Sequence, residues 1–195
     1  MTKTPTYTAV ALAMTLFLSV LIFASPSSCH RDQPAEIHAP GAKARKAVVE
    51  IESTEGMKVV AGQSIYVPSY SSIYTSDRAN TFFLAATLSI RNTDRSQPIV
   101  ITTARYYDQD GEVIRDYLKK PLRIGPMASI EFFVPESDTS GGVSASFLVE
   151  WVADQSVNAP HVESVMIGAA STQGVALTSP GRVLSDRSRD NPPGK

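Results

Sequence analysis

Apolar and polar residues alternate in short runs from Met57 to Thr178, and this pattern dominates the chain. Successive side chains of an extended strand point to opposite faces, so alternation rich in β-branched and aromatic residues predicts β-strands. In the segment 84–91, one face is apolar and the other polar: Leu84, Ala86, Leu88 and Ile90 against Thr87, Ser89 and Arg91. This segment therefore predicts a strand with one buried and one exposed face.

Similar patterns predict further strands at 99–107, 112–118, 130–134, 145–152, 162–168 and 175–178. Asp110-Gly111 stands between two of these runs, and Asp-Gly in that position is a strong signal for a tight hairpin. About seven to nine short strands without a helix predict an all-β fold, a single antiparallel β-sandwich of immunoglobulin-like type. A partly closed β-barrel is the alternative, because strand counts do not decide closure.

The N-terminus predicts export. Lys3 precedes an apolar run from Ala9 to Ala24, and small residues lead from there to Cys29. The arrangement resembles a bacterial lipoprotein signal, although Pro26 stands where that pattern has leucine or another aliphatic residue. Residues 1–28 are therefore predicted to be a signal peptide or membrane anchor. The alternatives are lipidation of Cys29, an uncleaved anchor, or simple cleavage after the small residues.

The predicted domain at 57–181 has an extension on each side. Residues 29–56 are rich in Pro, Ala, Lys, Arg and Glu and show little apolar periodicity, which predicts a flexible tether. Residues 182–195 contain few core-forming residues and end close to a Pro-Pro-Gly sequence, which predicts a disordered tail. The expected location is the periplasm or cell envelope, with the N-terminus as the membrane attachment.

Composition excludes several classes of function. The 18 basic and 19 acidic residues leave a net charge of -1, which gives no basic footprint for nucleic acid. The single cysteine, Cys29, allows neither an intramolecular disulfide nor a thiolate zinc site. His30, His38 and His161 have no metal-ligand spacing, so the sequence predicts neither a metal nor another cofactor.

Six stretches of the chain together resemble the bacterial exported domain-of-unknown-function family 3124: IYVPSYSSIY, LAATLSIRNTD, YYDQDG, SDTSGG, FLVEW and VMIG. The resemblance covers most of the range 65–181. It implies an extracytoplasmic single-domain protein and carries no activity with it. The stretch YYDQDGEV followed by LRIGPMAS also looks like immunoglobulin-like modules of bacterial surface proteins.

One stretch invites comparison with hydrolases. SDTSGG places Ser140 after an acid and before two glycines, but the serine-protease pattern has the acid adjacent to the serine, and here Thr139 intervenes. Within the predicted domain only His161 could complete a triad with Ser140. A polar loop that uses the two glycines for a turn is the preferred interpretation, and a small envelope hydrolase using Ser140 and His161 is the alternative.

Acidic residues give further candidates. Asp108, Asp110 and Glu112 resemble the start of a calcium loop, but a hairpin turn accounts for them without an ion. Glu150 shares a strand face with Leu148 and Val152, where a carboxylate is costly without a partner. An ion pair with Arg91 or Arg105 is predicted, with a ligand-binding carboxylate as the alternative. Asp138 is interpreted as a loop-capping acid and is kept as a candidate ligand-binding residue.

The strongest functional candidate is a set of tyrosines. Tyr66, Tyr70 and Tyr74 are evenly spaced, so an extended chain would place all three on one side. Pro68 lies between them and favours an edge strand or an irregular segment. The set could bind a glycan or flank a site of strand addition, and the alternative is simple packing over the end of the domain.

The sequence as a whole predicts a non-enzymatic, membrane-tethered binding or assembly module outside the cytoplasm. The expected partner is an envelope protein or a glycan, with no nucleic acid involved. The alternatives are the small hydrolase and a purely structural envelope protein.

Overall fold

The computed structural model describes residues 46–170 and 173–187. These residues form thirteen strands and one short 3-10 helix, Gly142–Ser144. The strands are β1 (Val48–Glu50), β2 (Ala61–Pro68), β3 (Ser72–Tyr74), β4 (Thr81–Phe83), β5 (Ala85–Arg91), β6 (Ile99–Tyr107), β7 (Val113–Asp116), β8 (Leu122–Ile124), β9 (Ser129–Val134), β10 (Ser146–Ala153), β11 (His161–Ala170), β12 (Gln173–Pro180) and β13 (Arg182–Asp186).

The strands form two main sheets and a small hairpin. The seven-stranded sheet has the order β1-β8-β6-β10-β2-β13, with β7 also pairing with β6. The four-stranded sheet has the order β12-β11-β5-β9, and β3 pairs with β4 alone. All recorded pairings are antiparallel. The predicted all-β sandwich is confirmed, and the sheets do not close into a barrel.

The two main sheets bury their inner faces in one core. The apolar face predicted for β5 is confirmed, since Ala86, Leu88 and Ile90 are fully buried; on the opposite face Arg91 is exposed, whereas Ser89 is buried. Strand β10 contributes the fully buried Phe147. The Phe147 ring packs on Tyr106 of β6, with ring centroids 4.8 Å apart. Burial of such large side chains is the main stabilising contribution to a fold of this kind.

The predicted hairpin is present between β6 and β7. Gly111 has a φ of +83°, which glycine adopts without steric cost. The Asp108 carboxylate accepts hydrogen bonds of 2.9 Å from the amides of Asp110 and Glu112. Asp108 therefore closes the turn, as the preferred interpretation of these acids requires.

Two short strands lie in segments for which the sequence predicted no structure. Strand β1 belongs to the predicted tether and pairs with β8. Strand β13 belongs to the predicted disordered tail and pairs with β2, so that prediction is wrong for residues 182–186. Both strands are largely exposed and gain order from backbone pairing more than from burial, which explains their weak sequence signal. The predicted signal or anchor at 1–28 and most of the tether lie outside the described residues.

Gly181 takes the chain from the four-stranded sheet to the seven-stranded sheet. Its amide donates a 2.8 Å hydrogen bond to the Val162 carbonyl. A Cβ at this position would lie 2.6 Å from the Ile65 side chain, closer than packed carbons approach. Glycine therefore permits β12 and β13 to follow one another while belonging to different sheets.

A stop codon after Gly181 would remove β13 and expose the backbone edge of β2. We expect the free energy of unfolding to fall by about 1–3 kcal/mol, the scale of a few net backbone hydrogen bonds. Urea denaturation of the full-length protein and the truncated variant measures this difference. The control is a stop after Arg187, which keeps β13 and should leave stability within about 0.5 kcal/mol. Equal stability of all three chains would contradict a structural role for β13.

Candidate functional site

The three candidate tyrosines do not form one row. Tyr66 is exposed on β2, a strand that is paired on both sides by β10 and β13 and is therefore not an edge. Tyr70 lies in the connection after β2 and packs against the core, whereas Tyr74 is exposed on β3 of the small hairpin. The chain leaves its extended course after Pro68, so even spacing in the sequence does not become a shared face.

Asp138 is held inside a polar loop. Its carboxylate lies 2.9 Å from the Arg115 guanidinium and accepts hydrogen bonds from the amide and the hydroxyl of Ser140. Burial alone would raise the pKa of Asp138, but the Ser140 bonds and Arg115 lower it overall. These contacts account for the carboxylate as a loop-capping group.

The same loop packs closely over a buried hydroxyl pair. The Ser71 and Tyr106 hydroxyls are 2.6 Å apart. A Cβ at Gly141 would overlap the Tyr106 hydroxyl, so only glycine lets the loop approach this closely. Burial raises the pKa of Tyr106, which keeps its phenol protonated as a hydrogen-bonding group. The two glycines of the SDTSGG stretch thus serve a tight loop, as the preferred interpretation predicted.

Ser140 and His161 lie at opposite ends of the sandwich. His161 opens β11 opposite Arg91, and Arg91 is also opposite Ser129 at the start of β9. Ser140 follows the other end of β9, which is Val134. Five residue steps of extended chain separate these ends by about 17 Å. The fold therefore does not assemble a serine–histidine pair from these two residues.

Glu150 has a hydroxyl partner in place of the predicted arginine. Its carboxylate accepts a 2.7 Å hydrogen bond from Thr103 on the neighbouring strand. The predicted partners are engaged elsewhere, because Arg91 lies 3.5 Å from Glu163 and Arg105 lies 2.9 Å from Asp116. The predicted ion pair of Glu150 with Arg91 or Arg105 is therefore wrong. Glu150 is half-buried, so water supplies part of its solvation.

A different surface carries an open groove. It has a volume of about 750 Å³ and crosses the outer face of the four-stranded sheet. We call it the outer groove. It is lined by the outward side chains of β5, β9 and β11, with Met127 at its rim: Thr87, Ser89, Arg91, Glu131, His161 and Val165.

Strand register places the lining residues in rows across the groove. Arg91 lies opposite His161 on β11, and Ser89 lies between Glu131 on β9 and Glu163 on β11. Directly opposed residues of antiparallel strands have Cβ atoms about 5 Å apart, so each row is in mutual contact range. The first two rows are polar, and they form one end of the groove.

Polar side chains at this end of the groove contact one another. The Arg91 Nε donates a 3.0 Å hydrogen bond to the Ser89 hydroxyl, and its Nη2 lies 3.5 Å from Glu163. The His161 ring approaches the other oxygen of Glu163 at 3.4 Å. The Glu163 carboxylate is therefore fixed between a guanidinium and an imidazole, and its strand backbone sets its position.

The following rows are mainly apolar. Thr87 lies opposite Val165 and Phe133, and Ala85 lies opposite Ile167. The side chains of Phe133 and Ile167 are 57% and 56% exposed, respectively. Large apolar side chains exposed together on one sheet face typically mark an interaction surface. The outer face therefore changes from polar to apolar along its strands.

Asp94 ties together the loops that carry the polar end. Its carboxylate accepts hydrogen bonds from the amides of Ser96, Gln97 and Asn158, each at 2.9 Å. The Asp94 carbonyl also accepts a 3.0 Å bond from the Met127 amide. Met127 has a φ of +55°, an uncommon conformation for a non-glycine residue, and is 67% exposed. This arrangement fixes the groove rim.

The outer groove was not predicted from the sequence, although the polar face of β5, which forms one part of it, was. The polar face of β5 was assigned correctly, including Ser89 and Arg91. The other walls come from β9 and β11, which lie far along the chain from β5. Only the order of strands in the sheet brings them together. The signal was present in β9, where the outward residues Glu131 and Phe133 alternate with the buried residues Ile130, Phe132 and Val134.

Fold and groove define an all-β sandwich protein with an exposed, partly polar sheet face. The chain belongs to the family described as Protein of unknown function (DUF3124), which matches residues 62–184. None of the curated proteins matches the chain. Among solved structures, the crystal structure of Thermotoga maritima 1070 is similar. It has 13% sequence identity and a TM-score of 0.39 over 62% of this chain and 92% of that chain.

Two further findings concern the described residues alone. No helix within residues 46–170 and 173–187 is long and apolar enough to cross a membrane. In the same ranges, no three His, Cys, Asp or Glu side chains lie together as potential metal ligands.

Low pH should weaken the hydrogen bonds that the Asp94 carboxylate accepts from the surrounding loops. Hydrogen bonds from the amides of Asn158, Ser96 and Gln97 lower the pKa of Asp94 from 3.8 to about 2. A lowered folded-state pKa means that the stabilising contribution is present above the unfolded pKa and is lost as the pH falls through about 2. In Asp94→Asn, we expect the stability difference from wild type to shrink between about pH 4 and pH 2.

Thermal unfolding across this pH range measures the effect. The charge-matched control is Asp154→Asn, which removes one exposed acid from the loop that also contains Asn158. A constant difference between wild type and Asp94→Asn throughout the range would contradict the role assigned to the carboxylate.

Proposed function

We propose that the protein is a non-enzymatic binding or assembly module of the cell envelope, and that the outer groove is its binding surface. In this proposal the domain is held outside the cytoplasm through its N-terminus. The single observation that carries the proposal is the outer groove itself, with its ordered polar end beside exposed Phe133 and Ile167.

The N-terminal sequence supports the cellular location. The apolar run from Ala9 to Ala24 has the character of an export signal or anchor, and Cys29 follows the small residues typical of a cleavage site. A single acyl chain gives only marginal membrane binding, so stable attachment through Cys29 would require more than one chain. Either a lipidated Cys29 or an uncleaved anchor would leave the domain facing the envelope.

The rigidity of the surface supports binding. Its side chains project from β5 and β11, which are each paired on both sides, and from β9, which is paired with β5. Sites on strands are held more precisely than sites on flexible loops. The Arg91–Glu163–His161 contacts connect β5 and β11 at the polar end of the surface.

The binding surface can be tested by photo-crosslinking in living cells. A photoreactive amino acid replaces Phe133 in the full-length protein, and adducts are identified by mass spectrometry. The matched controls replace Val113, which is 51% exposed on β7, and Tyr66, which is exposed on the seven-stranded sheet. We expect a dominant adduct from position 133, because this side chain borders the outer groove.

The control positions show which face of the domain binds the partner. Adducts from position 66 with none from position 133 would move the binding surface to the tyrosine candidate on β2. Absence of adducts from all three positions, in a folded and correctly located protein, would contradict the binding function and favour a purely structural envelope protein.

A further inference from the structure

We infer that β12 is a site of self-association, where the same strand of a second copy of this chain pairs with it in antiparallel orientation. The pairing would join two four-stranded sheets into one continuous sheet. This inference goes beyond the binding function proposed for the outer groove and does not depend on it. It follows from the open backbone edge of β12, the absence of charge along the strand, and the protection of the other outermost strands.

The outer edge of β12 carries backbone groups that a further strand could use. Within residues 46–170 and 173–187, β12 pairs with β11 alone. The Gly181 amide donates to the Val162 carbonyl, and the hydrogen-bonded pairs of an antiparallel ladder recur at alternate residues. The N–H and C=O groups of Gly174, Ala176 and Thr178 therefore point away from β11. All three residues are exposed.

The composition of β12 permits pairing with an identical strand. The segment Gln173–Pro180 contains no acidic and no basic residue. Pairing about a two-fold axis places a strand opposite itself, so a charged side chain near the axis would face its own like charge. Centred on Ala176, the pairing places Gly174 opposite Thr178 of the second copy and forms about six backbone hydrogen bonds. Pro180, which has no N–H to donate, then lies outside this ladder.

The other outermost strands of the two main sheets are protected against such pairing. Strand β1 has only three residues and ends at Glu50, and β9 carries Glu131. Strand β13 carries Arg182 and Asp186, and its register with β2 shifts along the strand. Short length, charge and irregular register all hinder edge-to-edge association. Among the outermost strands in the described residues, β12 alone combines eight residues, an unbroken register and no charge.

The row of residues beside Ala176 also suits a second copy. Strand register places Ala85 opposite Ile167, and Ile167 opposite Ala176. This row is apolar, and its Ile167 side chain is 56% exposed. Pairing centred on Ala176 continues the row into the same three residues of the second copy. Apolar side chains therefore meet apolar side chains across the axis, and no charged group is brought beside them.

Co-purification of two differently tagged full-length copies, expressed together and extracted in detergent, tests the pairing. We expect wild-type copies to co-purify. Ala176→Lys in both copies, or Ala176→Glu in both, should lower the co-purified fraction at least tenfold, because like charges then face each other across the axis. One copy with Ala176→Lys and the other with Ala176→Glu should restore it. Val113→Lys in both copies adds a charge to an exposed position on the other sheet and should change nothing.

The fold of each variant is verified by thermal unfolding. Ala176→Pro gives an independent test, because it removes an outward N–H without removing a hydrogen bond to β11, and it should also abolish co-purification.

Three outcomes overturn the inference: wild-type copies that do not co-purify, co-purification that Ala176→Lys leaves unchanged, and failure of the Lys and Glu variants to restore each other. Recovery of a different protein through β12, in place of a second copy, overturns the choice of partner. Crosslinking from position 133 tests the outer groove separately, so either proposal can fail while the other stands.

Discussion

The strict alternation of side chains along β5, β9 and β11 determines most of what this molecule presents to solvent. Ala86, Leu88 and Phe132 point into the core with the other inward apolar side chains of that sheet, and their burial is a main source of its stability. A one-residue slip in register would place these side chains in water and bury Arg91 and Glu131. The composition of the outer groove is therefore a consequence of the core.

The two ends of the sandwich are stabilised by different polar contacts. At one end Asp94 joins three loops through backbone amides, and Asn92 adds side-chain bonds to the carbonyls of Gln97 and Gly125. At the other end the Ser71 and Tyr106 hydroxyls meet beneath Gly141. Buried polar groups are costly unless they are hydrogen-bonded, so both ends tolerate little change. The groove lies near the Asp94 end, where the rim is most firmly held.

Local patterns in the sequence predicted the strands well and their arrangement poorly. The limits of β6 and the turn at Asp110-Gly111 follow from alternation and turn chemistry, which act over a few residues. Strands β1 and β13 were not predicted, because their faces are mostly exposed and carry no apolar pattern. The three-residue strands β3, β4 and β8 were not predicted either. Their order depends on the neighbouring strands that offer backbone partners.

The candidate sites show the same limit. The tyrosine row failed because the chain turns after Pro68, and the Glu150 ion pair failed because Thr103 lies opposite it in β6. Both errors concern which strand lies beside which. The Asp138 loop was interpreted correctly because its key contact, with Ser140, is local. The outer groove required the strand order of the whole sheet, which no local pattern contains.

Cysteine footprinting in intact cells tests the central claim most directly. Single cysteines are placed at positions 131, 161 and 165 in the outer groove and at 66 and 113 elsewhere on the surface. Their reaction with a membrane-impermeant maleimide is measured peptide by peptide, which separates the native Cys29. The account predicts slower labelling in cells than in purified protein at the three groove positions and equal labelling at the other two. Equal labelling at all five positions would contradict the assignment of the outer groove as the occupied surface.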